Sequence, residues 1–153
     1  MPPTYANDWH HLRTNLLRVS GWLRAEVTRI LEPYGLTQPQ FNILRILRGQ
    51  KGYPLSTQEI RARMVDSKMS DTSRLVDRLA LKHLVTKAPS QLDKRLVEVV
   101  VSAQGLELLR QLDEQMQELD AILQVIPLAQ AQQLNQLLDQ LAAAIPGEAP
   151  TSR

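Results

Sequence analysis

Apolar residues recur at spacings of three and four from the start of the chain. Trp9, Leu12, Leu16, Val19, Leu23, Val27 and Ile30 predict one long helix over residues 8–32, capped by Asn7 or Asp8 and ended by "PYG" at 33–35. Two further starts use one device. In "LTQPQF", Thr37 and Gln40 stand as a capping box and Leu36 and Phe41 as a hydrophobic staple. "LSTQEI" repeats it with Ser56, Glu59, Leu55 and Ile60. Helices are therefore expected from about 38 to 48 and from about 57 to 64. The intervening "GQKGYP" is turn-rich, with a short extended piece at 53–55.

After "VDSK" the pattern predicts a helix over 69–83. Thr72, Leu75, Val76 and Leu79 share one face, and Ser70, Ser73, Arg74, Asp77 and Arg78 lie opposite. Two helices of this length joined by a short turn form a helix-turn-helix. "LVTKAP" and "RLVEVVV" then flank the polar "SQLDK", with valine at 97, 99 and 101 in the period of a strand. This β-hairpin with a charged tip completes a winged helix-turn-helix. Ser102 caps a fifth helix carrying Leu106, Leu109, Leu112, Met116, Leu119 and Leu123. Pro127 interrupts, and a sixth carries Leu134, Leu137, Leu138, Leu141 and Ile145. The expected fold is mainly α with a small β-wing. Residues 1–35 form an N-terminal dimerisation helix and 36–101 the winged helix-turn-helix. Residues 102–146 form C-terminal dimerisation helices and 147–153 a flexible tail.

Charge sharpens this picture. Residues 51–101 carry ten Lys/Arg against six Asp/Glu, while the rest carries eight against ten. A basic middle with less basic ends fits a module that binds a polyanion. Chemistry narrows it further. The chain has no cysteine and three histidines, His10, His11 and His83. Adjacent histidines on a helix point about 100° apart and rarely chelate together. With no phosphate-binding glycine loop either, the sequence predicts no enzyme, metal or cofactor. No apolar run reaches the ~18 residues of a membrane span, and the N-terminus lacks the pattern of a signal peptide. A cytoplasmic protein without membrane contact is expected.

The segments "GLTQPQFNIL", "LSTQEIRARM", "TSRLVDRL" followed by "LV" at 84–85, and "LDKRLVEVVVSAQG" stand in an order and spacing that resemble the MarR-type bacterial transcription regulators. The resemblance covers roughly residues 8–145 and includes an Asp-x-Arg pair in the wing, Asp93 and Arg95. It implies a dimeric winged-helix regulator of double-stranded DNA, often released by a small molecule. The chain departs from the pattern twice. His83 stands where glycine is usual, so it must accept a left-handed conformation or end the helix otherwise. Thr72 stands where an apolar residue is common, and is expected to pack its methyl and bond a backbone carbonyl.

A recognition helix meets base edges with its N-terminal residues. Ser70, Asp71, Ser73 and Arg74 are the base-contact candidates, since small hydroxyls allow close approach and arginine can bond guanine bidentately. Lys68, Thr57 and Gln58 are candidates for contact to the DNA backbone. Arg78 is open between a phosphate contact and a structural ion pair. Arg74 and Asp77 are spaced as an i, i+3 pair, and Asp77 is expected to be neutralised by an arginine. The resemblance implies that Arg95 reaches the minor groove, oriented by Asp93, with Lys87 and Lys94 adding phosphate attraction. It also implies an effector pocket between the dimer helices and the DNA-binding lobe. Trp9, Arg13, Leu16, Leu17, Tyr34, Phe41 and Arg45 could line it for an aromatic or phenolic ligand. The expected function is a homodimeric repressor on a pseudo-palindromic operator. A winged-helix module that docks protein instead of reading DNA is the alternative.

Overall fold

A computed structural model describes residues 4–65 and 71–146. The first helix, α1, spans Asp8–Leu31, and the Asn7 side chain accepts from the His10 N–H at 2.9 Å. A 3₁₀ turn at Glu32–Tyr34 ends it, with Gly35 in the left-handed region at φ 63°. The long apolar stripe is only partly buried. Ile30 and Leu31 enter the core and Leu23 and Val27 pack on its edge, while Trp9, Leu12, Leu16 and Val19 are exposed.

Both predicted capping boxes are present. Helix α2, Gln38–Gly49, starts on Thr37 and Gln40, and α3, Thr57–Arg63, starts on Ser56 and Glu59. The Ser56 N–H donates to the Glu59 carboxylate at 2.8 Å. These hydrogen bonds, the backbone one foremost, lower the Glu59 pKa. Strand β1, Leu55–Ser56, starts two residues later than the expected extended piece and ends one later, because Leu55 and Ser56 pair with Val99 and Glu98. With β2, Val85–Pro89, and β3, Val97–Val101, it forms an antiparallel sheet in the order β1-β3-β2.

Helix α4 spans Thr72–Leu81, shorter at both ends than the expected 69–83. Asp71 is its N-cap, and residues 66–70, including Lys68 and Ser70, lie outside the described residues. At the other end His83 takes the left-handed conformation, φ 60°. The His83 N–H reaches the Ala80 carbonyl and the Leu84 N–H the Leu79 carbonyl, both at 3.0 Å. That is the Schellman pattern, with buried Leu79 and Leu84 supplying its apolar contact. Thr72 is buried as expected, but its hydroxyl faces the Met64 sulfur at 3.8 Å rather than a backbone carbonyl.

Helix α5, Ala103–Leu123, locks onto this junction. The Ser102 hydroxyl donates to the His83 carbonyl at 2.6 Å and accepts from the Gly105 N–H at 3.0 Å. A Cβ on Gly105 would lie 2.3 Å from the Leu84 carbonyl oxygen, so a side chain there is excluded by sterics. The core gathers Ile43, Leu44 and Leu47 of α2, Ile60 of α3, Val76 and Leu79 of α4, Val99 of β3, and Leu109 and Leu112 of α5. Helix α6, Leu128–Ala143, stands apart. It buries none of its residues and leaves Leu134, Leu137, Leu138 and Leu141 exposed.

Candidate nucleic-acid interface

The inward face of α4 holds Thr72, Val76 and Leu79, which leaves Ser73, Arg74, Asp77 and Arg78 together on the exposed face. Amphipathic spacing alone fixes this orientation. Arg74 does not pair with Asp77. Its Nε lies 3.1 Å from Asp71, whose other oxygen accepts the Arg74 N–H at 3.4 Å. Asp71 is thereby engaged as cap and ion-pair partner, and a capping carboxylate is suited to hold the helix start rather than to read a base. Asp77 is neutralised, but by Lys87 of β2 and not by an arginine. The pair ties the recognition helix to the wing strand. A lysine across the gap was missed because sequence spacing shows neighbours within one helix, not between a helix and a strand. Arg78 is exposed, and among the described residues it has no ion-pair partner. Thr57 and Gln58 open α3, Thr57 half-buried and Gln58 exposed.

The wing tip is a built turn. Ser90 is buried, and its hydroxyl accepts the N–H groups of Leu92 and Asp93 at 3.2 and 3.3 Å. The Ser90 N–H donates to the Leu96 carbonyl, and the Leu96 N–H to that of Asp93, both at 2.9 Å. Asp93 then holds Arg95 in a fork, from Nε at 3.0 Å and Nη2 at 3.1 Å, while its Oδ1 also accepts the Arg95 N–H. Arg95's side chain is 90% exposed all the same. Its hydrogen bonds, the side-chain ones first, hold the Asp93 carboxyl below the usual range and raise the Arg95 guanidinium. The fork is therefore complete above the ordinary carboxylate range and is lost only as pH falls through the lowered Asp93 pKa. Lys94 beside it is exposed. Ser90 escaped the sequence reading. A buried serine two residues before an exposed leucine looks like ordinary loop polarity until the turn closes on it.

The residues named for an effector pocket divide between the exposed first half of α1 and the packed region around α2. Trp9, Arg13, Leu16 and Leu17 occupy the exposed first half of α1. Tyr34 follows its far end, and Phe41 and Arg45 stand on α2, whose Gln38 side chain donates to the Arg24 carbonyl and the Thr28 hydroxyl of α1. Phe41 is core, with the Arg45 guanidinium 5.7 Å from its ring centre, and the Tyr34 hydroxyl accepts from Gln115 at 2.8 Å. A shallow cleft between α1 and α5, lined by Glu26, Arg29, Gln115 and Glu118, contains none of the seven. Near it Arg48 of α2 grips Asp113 of α5 through two hydrogen bonds of 2.8 and 3.1 Å. Among the described residues no three His, Asp or Glu side chains gather as a metal site, and no helix is long and apolar enough to cross a membrane.

The sequence model of the MarR family matches residues 34–96. Among solved structures, the chain is similar to AbsC, a MarR family transcriptional regulator from Streptomyces coelicolor, at 20% identity and a TM-score of 0.77, covering 95% of this chain and 99% of that one. A MarR transcription factor from Planctomyces limnophilus is 25% identical at a TM-score of 0.68, covering 90% of this chain and 99% of its own. The PcaV transcriptional regulator of Streptomyces coelicolor, solved with its natural ligand, is 20% identical at 0.70, covering 94% and 99%. No curated protein matches the chain.

Proposed function

We propose that this chain, whose residues 34–96 match the model of the MarR family, is a sequence-specific DNA-binding regulator, acting as a homodimeric repressor on a pseudo-palindromic operator. One observation carries the reading. The exposed face of α4 and the wing each present a positioned arginine, Arg74 on Asp71 and Arg95 on Asp93. A helix that offers arginine beside small hydroxyls suits the major groove, and an exposed arginine on a hairpin tip suits the minor groove. Gln58, Thr57, Arg78 and Lys94 supply phosphate contacts around them. Lys87 contributes less than its charge suggests, being neutralised by Asp77.

The exposed leucines of α6 and the exposed stripe of α1 support a second copy as the partner that covers them. Two recognition helices would then stand about one DNA turn, ~34 Å, apart. Release by a small aromatic or phenolic effector belongs to the same proposal. It is supported by the ligand-bound PcaV neighbour.

The test is a titration of the protein against duplex from its own promoter region and random duplex of equal length, at two salt concentrations. Tighter promoter binding that persists at the higher salt is expected. Equal, salt-labile binding to both duplexes would overturn the groove-reading claim.

A further inference from the structure

We propose that Leu92 enters the DNA minor groove beside Arg95 and makes the wing select against guanine there. The proposal rests on the DNA-binding reading above. Leu92 is 97% exposed at the tip of the hairpin. Single exposed leucines are ordinary on protein surfaces, but three features set this one apart. Its position is fixed, because the buried Ser90 hydroxyl holds both its own N–H and that of Asp93. It stands next to the carboxylate that aims Arg95, so whatever receives the guanidinium meets the leucine too. The exposed cations Lys94 and Arg95 follow after Asp93, which matches the tip to a polyanion and not to an apolar protein surface.

The chemistry of the occupant follows from the side chain. An isobutyl group offers no hydrogen-bond acceptor. The minor-groove floor of an A·T pair shows only acceptors, flanked by deoxyribose walls on which a leucine can pack. A G·C pair adds the guanine N2 amino group. Beneath Leu92 that donor loses its water and gains no acceptor, which costs the full desolvation of a polar group. Leu92 thus reads the absence of an amino group, while Arg95 reads the groove's width and potential. Apolar side chains in the minor groove are an established means of recognition.

The experiment uses the full chain and duplexes of roughly 30 base pairs from its promoter region, spanning both half-sites. Hydroxyl-radical footprinting locates the minor groove under the wing. The pairs there are then replaced by G·C or by I·C, which share a major-groove face and differ in the N2 amino group. Wild type should bind the G·C duplex about tenfold more weakly than the I·C duplex. In Leu92→Asn, whose amide oxygen can accept from N2, the ratio should fall below about threefold. Leu92→Ala should narrow it as well, by removing the isobutyl group. Leu92 touches no core residue, so both variants should melt with the wild type. Equal ratios in all three proteins, with tight I·C binding, would overturn the role of Leu92 and leave the DNA reading intact. No preference for promoter over random duplex in the wild type would overturn both.

Discussion

Arg95 is the residue whose role is most directly measurable. Its fork with Asp93 is fully solvent-facing, so its worth to stability is small. In the proposed function its worth would lie in arriving at DNA already aimed, with less rotamer freedom left to lose on binding. Arg95→Ala should weaken duplex binding and reduce the slope of log K against log salt by ~1. An unchanged slope removes Arg95 from the interface. Arg74 has the same arrangement with Asp71, three positions before it on the same helix start. On the proposed DNA the carboxylate of each pair would share its arginine with a phosphate or a base. In the proposed complex Asp71 and Asp93 would position their arginines.

At the scale of elements, the α4–β2–α5 junction positions the wing against the recognition helix. His83 carries a left-handed backbone that glycine would adopt freely, and Ser102 accepts the strain's geometry by bonding its carbonyl. Gly105 completes the contact, since only a hydrogen fits against the Leu84 carbonyl. Gly105→Ala should destabilise the fold by about 1–3 kcal/mol, read as a lower midpoint in urea. A wild-type midpoint would mean that α5 can retreat without cost. Much of this architecture was legible beforehand, because it rests on local signals. Thr37–Gln40 and Ser56–Glu59 announce their helices within four residues, and the alternating valines announce β3. What the sequence withheld was contact between elements. Lys87 reaching Asp77, Arg48 reaching Asp113 and Ser90 closing the wing turn all depend on how helices and strands are packed. The start of α4 was misjudged for a related reason. The Asp71 side chain caps the helix by accepting the Arg74 N–H, and a cap cannot be part of the helix it begins.

At the scale of the whole molecule, the chain has two unequal parts. Residues from Ile30 to Leu119 share one core, while α6 and the first half of α1 present leucine and tryptophan to solvent. In the proposed homodimer these faces are covered. Sedimentation at micromolar concentration should give twice the chain mass of 17.3 kDa, and Leu137→Asp with Leu141→Asp should shift the mass toward one chain and lower duplex affinity. A wild-type mass of one chain would sink the dimer. A last helix that buries nothing within its own chain also bears on dose. In the proposed homodimer its apolar face is covered only on assembly, so dilution would both separate the subunits and expose the arms that join them. Occupancy of a promoter by such a protein rises more steeply than in proportion to its amount. A cell that halves its supply would lose more than half of the control, and the threshold would be written into the exposed leucines of α6.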